Sequence, residues 1–277
     1  MNKRYKTKLA LIVGGGKLPL IVAREFRDAG IPFCVIALLG LADEKTLASF
    51  KPYMLGIGQL SRAFKIMREE GVKSVLFLGK VTRPALSEIK PDFAAAKIIG
   101  KLLLTSSLGD DTLLRAIDKV FLDAGFTILR QDIALRAMLA APKLYTKVAP
   151  TRDELDDIKH GYKLALKVGA LDLYQSLVIE KGVVLSLEGA DGTDAAIYRG
   201  GRARRETKKS SGIFIKVCKP GQSLRQDLPT IGMDTIQAVH KAGLRGLAVQ
   251  AGRTVMMERE KIIRYADAHK LFLLGVS

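Results

Sequence analysis

The fold class follows from one early stretch, Leu9-Ala-Leu-Ile-Val-Gly-Gly-Gly-Lys-Leu-Pro19, and from the residues directly after it. Its five apolar residues predict a strand, its glycines a tight turn, and the apolar spacing from Leu18 to Ala29 a helix. The continuous apolar run Phe33-Cys-Val-Ile-Ala-Leu38 predicts a second strand, of the buried kind found in parallel sheets. Strand, glycine turn, helix and strand together predict a Rossmann-like α/β unit.

The rest of the chain extends this unit and adds a second one. Further strands are predicted at 53–57, 74–78 and 126–129, with helices at about 60–70 and 85–108. A further amphipathic helix is predicted after Gly109-Asp-Asp111, with Leu113, Leu114, Ile117, Val120 and Phe121 on its apolar face. Residues 141–151 contain two prolines and no periodicity, which predicts a linker. A capping box at Thr151 and Glu154 opens a long helix whose predicted apolar face includes Leu155. Strands at 177–180, 183–187, 213–218, 246–250 and 254–257 predict a mixed sheet. We therefore expect an N-terminal domain over 1–140 and a C-terminal α/β domain over 152–277.

The glycine turn does not match a dinucleotide-binding fingerprint. Pro19 stands at the third glycine of that pattern, and Leu38-Leu-Gly-Leu41 offers no acidic residue for a ribose. An oxidoreductase that uses NAD is therefore disfavoured. A glycine turn at a helix N-terminus can still hold a phosphate, with Lys17 nearby, or can be a tight turn and nothing more.

The charge balance favours anionic partners. The net charge is +17, whereas the chain has no Trp and only 6% aromatic residues. Helix-turn-helix and RNA-stacking motifs are absent, so that charge alone does not choose among nucleic acid, an acidic membrane face and phosphorylated metabolites. No apolar run reaches 18 residues, and the basic start of the chain has no signal-peptide core, so we predict a cytoplasmic protein. Cys34 and Cys218 fall in predicted strands and are expected to be buried.

Two strand-to-helix loops of the second domain carry carboxylates. One is Glu188-Gly-Ala-Asp-Gly-Thr-Asp194, and the other runs from Gly221 to Gly232 and contains Asp227. Carboxylate oxygens and glycine backbone suit a hard cation such as Mg²⁺ or Mn²⁺, and the lack of His and Cys disfavours zinc. Each carboxylate also has a structural interpretation: a solvated strand end for Glu188, a helix cap for Asp194 and a turn for Asp227.

Basic residues occupy several loops. Lys80 and Arg83 follow the predicted strand at 74–78, where a phosphate can sit at the carboxyl end of a parallel sheet. The run 199–209 contains six basic residues and one acid, which predicts either a solvated loop or a clamp for phosphate or an acidic membrane face. All three histidines fall in predicted helices without ligand spacing and are expected to be structural.

Six runs together resemble one known family. They are Gly14-Gly-Gly-Lys-Leu-Pro19, Gly79-Lys-Val-Thr-Arg83, Gly109-Asp-Asp-Thr-Leu-Leu114, Glu188-Gly-Ala-Asp-Gly-Thr-Asp194, Lys216-Val-Cys-Lys-Pro-Gly-Gln222 and Asp227-Leu-Pro-Thr-Ile-Gly232. The chain resembles the LpxI-type UDP-2,3-diacylglucosamine pyrophosphatases of lipid A biosynthesis, over about residues 8–275. One position departs from the family pattern, since Ser223 stands where an aspartate is expected after Gly-Gln.

The resemblance implies a Mg²⁺-dependent hydrolase that splits UDP-2,3-diacylglucosamine into UMP and 2,3-diacylglucosamine 1-phosphate (lipid X), with the substrate between two domains. It implies Asp227 as the catalytic aspartate. Together with the two carboxylate loops, this predicts Asp227, Asp194 and Glu188 as catalytic residues, and the same three with Asp191 as metal ligands. The substrate-binding residues that it implies are Gly15, Gly16, Lys17, Leu18, Pro19, Gly79, Lys80, Arg83, Asp110, Asp111, Thr193, Lys216, Gln222, Thr230 and Gly232.

The expected partners are the lipid substrate and product and, peripherally, the cytoplasmic face of the inner membrane, but not nucleic acid. A homodimer is among the oligomeric states that the sequence leaves open. The alternative function is a non-catalytic nucleic-acid or membrane-surface binder that would use the 199–209 cluster.

Overall fold

A computed structural model describes residues 7–81, 91–93, 95–96, 110–204 and 212–277, apart from the side chains of 110–114. The chain forms two compact units: Met1–Ala134 together with Ser223–Gln226, and Leu135–Gln222 together with Asp227–Ser277. Most of the predicted helix over 85–108 lies outside the described residues, as do Arg83 and much of the basic run 199–209.

Unit 1 is built on a parallel sheet, as predicted. Its elements are β1 (Leu9–Val13), α1 (Leu18–Asp28), β2 (Phe33–Leu38), α2 (Glu44–Leu47), β3 (Tyr53–Leu55), α3 (Leu60–Glu69), β4 (Ser74–Leu78), α4 (Asp110–Asp123), β5 (Thr127–Ile128) and α5 (Gln131–Ala134). The strands lie in the order β3-β2-β1-β4-β5, and every pairing is parallel. The predicted Rossmann-like α/β class is thereby confirmed.

The strand order of unit 1 reverses direction between β1 and β4. The chain runs outward from β1 through β2 to β3, then returns to place β4 on the other side of β1. In open α/β sheets, such a switch point leaves a crevice at the carboxyl ends of the strands. The glycine turn that follows β1 and the Gly79-Lys80 turn that follows β4 both lie at this edge.

Unit 2 contains the predicted mixed sheet. Its elements are α6 (Arg152–Gly169), β6 (Ser176–Glu180), β7 (Val183–Leu187), α7 (Thr193–Ala203), β8 (Ile213–Lys216), β9 (Thr230–Ile231), α8 (Met233–Lys241), β10 (Gly246–Gln250), β11 (Val255–Met256), α9 (Arg259–Ala268) and β12 (Phe272–Val276). The main sheet has the order β12-β10-β8-β6-β7. Here β6 runs antiparallel to both neighbours, whereas β8, β10 and β12 are parallel.

Two sequence predictions about unit 2 were wrong, and one strand was missed. The strand predicted at 254–257 is outside the main sheet, because β11 pairs with β9 in a separate two-stranded sheet. The edge position belongs to β12, an apolar stretch to which no strand was assigned. Leu155 is exposed, since α6 packs on the sheet through a face that includes Ile158, Gly161 and Ala165.

The segment predicted as a linker lies in unit 2. Leu144 forms an isolated bridge with Leu274, and the Tyr145 amide donates to the Leu273 carbonyl at 2.9 Å. The predicted capping box is confirmed, because the Thr151 side chain accepts from the Glu154 amide while the Glu154 carboxylate accepts from the Thr151 amide.

Successive side chains of each strand in unit 2 point to opposite faces of the sheet, so that the sheet has an apolar core on each face. Val178, Phe214 and Leu247 belong to one cluster, and Leu177, Ile215 and Ala248 belong to the other. No helix in the described part of the chain is both long and apolar enough to cross a bilayer. Both cysteines are buried, as predicted.

Candidate functional site

In unit 1, the two turns at the switch point are tied together by backbone hydrogen bonds. The Gly14 amide donates to the Leu78 carbonyl at 2.9 Å, and Gly15 and Lys80 exchange amide-to-carbonyl bonds of 2.8 and 2.9 Å. A Cβ on Gly14 would lie 2.4 Å from the Lys80 carbonyl oxygen, and one on Gly79 would lie 2.5 Å from that of Gly15. The glycines are therefore required by the close approach of the two turns, and Gly79 also has a left-handed φ of 85°.

Helix α1 begins directly after this glycine turn. Lys17 is its N-cap residue and makes no side-chain capping bond, and Pro19 in the first turn has no N–H, so that the Leu18 and Leu20 amides are the donors left at this helix start. Leu18 and Pro19 are buried. The structure thus brings Gly15, Gly16, Lys17 and Lys80 to one edge, while Leu18 and Pro19 support it by packing. The side chains of Asp110 and Asp111, at the start of α4, lie outside the description.

In unit 2, Glu188 is held in place by two hydroxyl groups. Ser176 Oγ donates to one carboxylate oxygen and Thr193 Oγ1 to the other, each at 2.7 Å. Lys216 Nζ in turn donates to Thr193 Oγ1 at 2.8 Å, and Lys216 itself is buried. Three predicted site residues, Glu188, Thr193 and Lys216, therefore form one hydrogen-bonded chain that joins the ends of β7 and β8 to the start of α7. Ser176 completes it and was missed by the sequence analysis.

The other two carboxylates of the first loop differ in their surroundings. Asp191 forms an ion pair with Arg199, whose guanidinium also donates to the Leu187 carbonyl at 2.7 Å. This arrangement closes the glycine turn onto α7. Asp194 is exposed in the first turn of α7, where a negative charge interacts favourably with the helix dipole.

Asp227 is exposed and is oriented by Gln222. Gln222 Nε2 donates to Asp227 Oδ2 at 2.6 Å, while Gln222 Oε1 accepts from the Lys219 amide at 2.9 Å. The backbone contact fixes which end of the side-chain amide faces the carboxylate. Within the described residues, Asp227 Oδ1 receives no hydrogen bond, so this oxygen remains open to water or to a ligand.

The residues after Asp227 lead into α8. Thr230 begins β9, and its hydroxyl donates to the Leu228 carbonyl at 3.2 Å. Gly232 is the N-cap residue of α8, where a Cβ would lie 2.7 Å from Met257 Cε. Both residues thus shape the end of the Asp227 loop. The same loop begins at Cys218, whose amide donates to Gln250 Oε1 at 2.8 Å.

The four residues between Gln222 and Asp227 belong to unit 1. The Gln131 amide donates to the Leu224 carbonyl at 2.7 Å, and Arg225 forms an ion pair of 3.0 Å with Asp118. Gln226 also donates to the Asp118 carboxylate, which is almost fully buried. Asp118 therefore fixes the segment directly before Asp227. No pattern in the sequence indicates this role, because Asp118 lies on an ordinary amphipathic helix.

The four predicted metal ligands do not form a ready cluster. No group of three or more His, Cys, Asp or Glu side chains suited to a metal occurs among the described residues. Glu188 and Asp191 already have partners within the protein, which leaves Asp194 and one oxygen of Asp227 for a cation. Carboxylate oxygens are hard ligands of the kind that Mg²⁺ prefers, but these two residues provide too few of them to hold the ion without further ligands.

Fold and site together define a two-unit α/β protein, with a glycine turn at the switch point of one sheet and hydrogen-bonded carboxylates at strand ends of the other. The family models for the LpxI N-terminal domain and the LpxI C-terminal domain match residues 8–138 and 141–274. The chain is also similar to the UDP-2,3-diacylglucosamine pyrophosphatase LpxI of Caulobacter vibrioides, at 37% identity over 277 residues and 97% of each chain. The chain belongs to the LpxI family, as the six sequence runs predicted.

Proposed function

We propose that this protein is an enzyme that hydrolyses the diphosphate bond of UDP-2,3-diacylglucosamine, a step of lipid A biosynthesis. The observation that carries the proposal is the match to the Caulobacter relative of that name, which extends over 97% of both chains. A likeness of this extent includes both sheets and both carboxylate loops, so it is not confined to the N-terminal half of the chain.

The reaction consumes one water molecule. The water oxygen forms a bond with the β-phosphorus, and the bond from that phosphorus to the bridging oxygen breaks. The bridging oxygen leaves with the α-phosphate as UMP, and the lipid keeps the β-phosphate as 2,3-diacylglucosamine 1-phosphate. One proton of the water must be removed, and negative charge on the transferred phosphoryl group must be stabilised.

Asp227 is the residue we assign to the water. Its Oδ2 is held by Gln222 at 2.6 Å, which leaves Oδ1 to accept a hydrogen bond from the attacking water and to orient it. Lys216 and the amides at the start of α7 lie beside Glu188, where they suit an anionic group. Lys17, Lys80 and the amides of α1 give unit 1 a second phosphate-binding edge.

A divalent cation fits this assignment only as a partner of the substrate. Mg²⁺ or Mn²⁺ would be held by Asp227 and Asp194, with water and the diphosphate completing its shell, and it would neutralise phosphate charge. Mg²⁺ commonly binds in this way, through one or two carboxylates and substrate phosphates.

The test is a direct assay of the purified protein. Incubation with UDP-2,3-diacylglucosamine and Mg²⁺ in detergent is expected to release UMP and the lipid 1-phosphate in equal amounts. Reaction in ¹⁸O-labelled water distinguishes the two phosphorus atoms, since attack at the β-phosphorus places the label in the lipid product. Absence of both products above an enzyme-free control would refute the proposed function, and label in UMP would refute the site of attack.

A further inference from the structure

Three lysines form a stripe along the exposed side of α6. Lys159, Lys163 and Lys167 follow one another at four-residue spacing, and all three are exposed. None of them forms an ion pair with any residue that the structure describes. Like charges at this spacing repel each other along a helix, so the stripe opposes helix stability rather than supporting it. Its charge is therefore available to an external anionic partner.

The stripe leads into a turn with two exposed leucines. Leu171 is 69% exposed and Leu173 is 66% exposed, which places them among the most exposed large apolar side chains of the described residues. Between them, Asp172 has a left-handed φ of 60°, and its carboxylate pairs with Lys219 at 2.6 Å. The acidic charge of this leucine turn, residues 171–174, is thus paired while its apolar side chains face outward.

The leucine turn lies against the loop that carries Asp227. Besides the Asp172–Lys219 pair, the Val217 amide donates to the Gln175 carbonyl at 2.8 Å. Gln175 Oε1 also accepts from Gln222 Nε2 at 3.4 Å, the same nitrogen that orients Asp227. A partner bound at the leucine turn would therefore lie next to Asp227, the residue assigned to the attacking water.

We infer that the lysine stripe and the leucine turn dock this protein on a bilayer that contains anionic phospholipid. The inference rests on the proposed function, because a diacylated substrate resides in a membrane. Basic residues close to a surface are attracted by anionic headgroups, and exposed leucines gain by leaving water for the acyl boundary. Nucleic acid would satisfy the lysines but leave the leucines in water, which is why a lipid surface fits both features.

Binding is measured by sedimentation with sucrose-loaded vesicles. Vesicles of phosphatidylethanolamine and phosphatidylglycerol, at roughly three to one, supply the anionic surface, and pure phosphatidylcholine vesicles supply a neutral one. The wild-type protein is expected to bind the anionic vesicles and to release as salt rises to about 0.5 M, where surface charges are screened. Absence of binding to anionic vesicles would overturn the inference, whether or not the protein hydrolyses lipid.

Two variants test the lysine stripe and the leucine turn separately. Replacement of Lys159, Lys163 and Lys167 by Gln is expected to weaken vesicle partitioning about tenfold or more. Leu171→Ser with Leu173→Ser is expected to weaken it by a similar factor, about tenfold, at low salt, because two apolar side chains no longer leave water for the acyl boundary. Gln keeps helix propensity, and circular dichroism checks that each variant is folded.

Matched control variants carry the same kinds of substitution at exposed positions outside the lysine stripe and the leucine turn. A triple change of Lys45, Lys73 and Lys241 to Gln removes the same charge from exposed positions, and Leu39→Ser with Leu122→Ser removes two exposed leucines. Both are expected to bind vesicles like the wild type. An equal loss in these controls, or no loss in the α6 and turn variants, would refute the assigned surface.

The activity of the same variants keeps this inference separate from the proposed function. Turnover of substrate dispersed in detergent is expected to be normal in all of them, whereas turnover of substrate embedded in anionic vesicles falls only in the α6 and turn variants. If detergent turnover is absent even in the wild type, the proposed function fails while the vesicle-binding result still stands. If the lysine variant loses RNA binding but keeps vesicle binding, the surface serves nucleic acid and the lipid assignment is wrong.

Discussion

At the scale of single residues, the carboxylate loops of unit 2 depend on side chains that lie far away in sequence. Glu188 and Asp227 stand in recognisable loops, and the structure places both at strand or loop ends of unit 2. Their supporting residues depend on tertiary contacts. Ser176 reaches Glu188 across 12 positions, and Asp118 reaches Arg225 across 107. Local sequence patterns do not identify such pairs, because each residue by itself looks like an ordinary strand or helix position.

Asp227 gives the most direct residue-scale prediction. Asp227→Ala removes an exposed charge from a loop, so stability should change by no more than about 1 kcal/mol. The kcat is expected to fall at least about a hundredfold with little change in KM, because a residue that orients water acts mainly in the transition state. Thermal unfolding and initial-rate kinetics measure the two quantities. A lowered melting temperature with near-normal kcat would instead identify Asp227 as a turn residue.

Gln222 was predicted to contact substrate, and its bond to Asp227 suggests a second role that kinetics can separate. Gln222→Glu places a second carboxylate beside Asp227, which disfavours the ionised form of both. We expect the acidic limb of the kcat profile to move to higher pH and kcat at neutral pH to fall about tenfold, with KM within about twofold. Gln237→Glu makes the same charge change on α8 as a control. A raised KM with an unchanged pH profile would favour the substrate-contact role.

At the scale of elements, most strands of both sheets were predictable because their apolar runs are bounded by glycine or charged residues. The edge strand β12 was not. Its sequence, Phe272-Leu-Leu-Gly-Val276, is a short apolar run with an internal glycine directly after a helix, and such a run fits either a strand or a continuing helix. Which two strands pair is likewise not encoded locally, so β11 could be found as a strand but not assigned to its separate sheet.

Two glycines show how closely helices approach the sheet of unit 2. A Cβ on Gly200 of α7 would lie 2.6 Å from Val178 Cβ, whereas one on Gly161 of α6 would lie 2.5 Å from Ile215 Cδ1. The first neighbour is close to the backbone and cannot move alone, but the second is the end of a flexible side chain. Gly200→Ala is therefore expected to destabilise by about 1–3 kcal/mol despite its better helix propensity.

Gly161→Ala is the matched comparison, because its added Cβ would meet the terminal methyl group of Ile215 rather than an atom next to the backbone. Its stability is expected to stay within about 1 kcal/mol of the wild type, as the gain in helix propensity offsets the remaining overlap. Urea unfolding of both full-length variants, monitored by circular dichroism, shows which substitution lowers the free energy of unfolding more. A larger loss for Gly161→Ala than for Gly200→Ala would show that the α6 contact, rather than the α7 contact, is the rigid one.

At the scale of the whole molecule, the division into two sheet-based units could be foreseen, but the path of the chain between them could not. Ser223–Gln226 clusters with unit 1 although both flanking segments belong to unit 2. This assignment depends on Asp118 and Gln131, which lie about a hundred positions away in sequence. The boundaries expected from composition, at 140 and 152, follow local signals only and remain a prediction.

The stability of the molecule is expected to be independent of any metal that its activity requires. Both units have extensive apolar cores, and Glu188 and Asp191 already have hydroxyl or guanidinium partners within the protein. Metal binding contributes to folding when the site is formed by the protein alone, and this donor set is too small for that.

Excess EDTA should therefore stop turnover, leave the melting temperature within about 2 °C and leave the circular dichroism spectrum unchanged. Added Mg²⁺ or Mn²⁺ should restore the rate. Full activity in excess chelator would refute the metal requirement, and a large fall in melting temperature would reveal a structural ion bound outside these carboxylates.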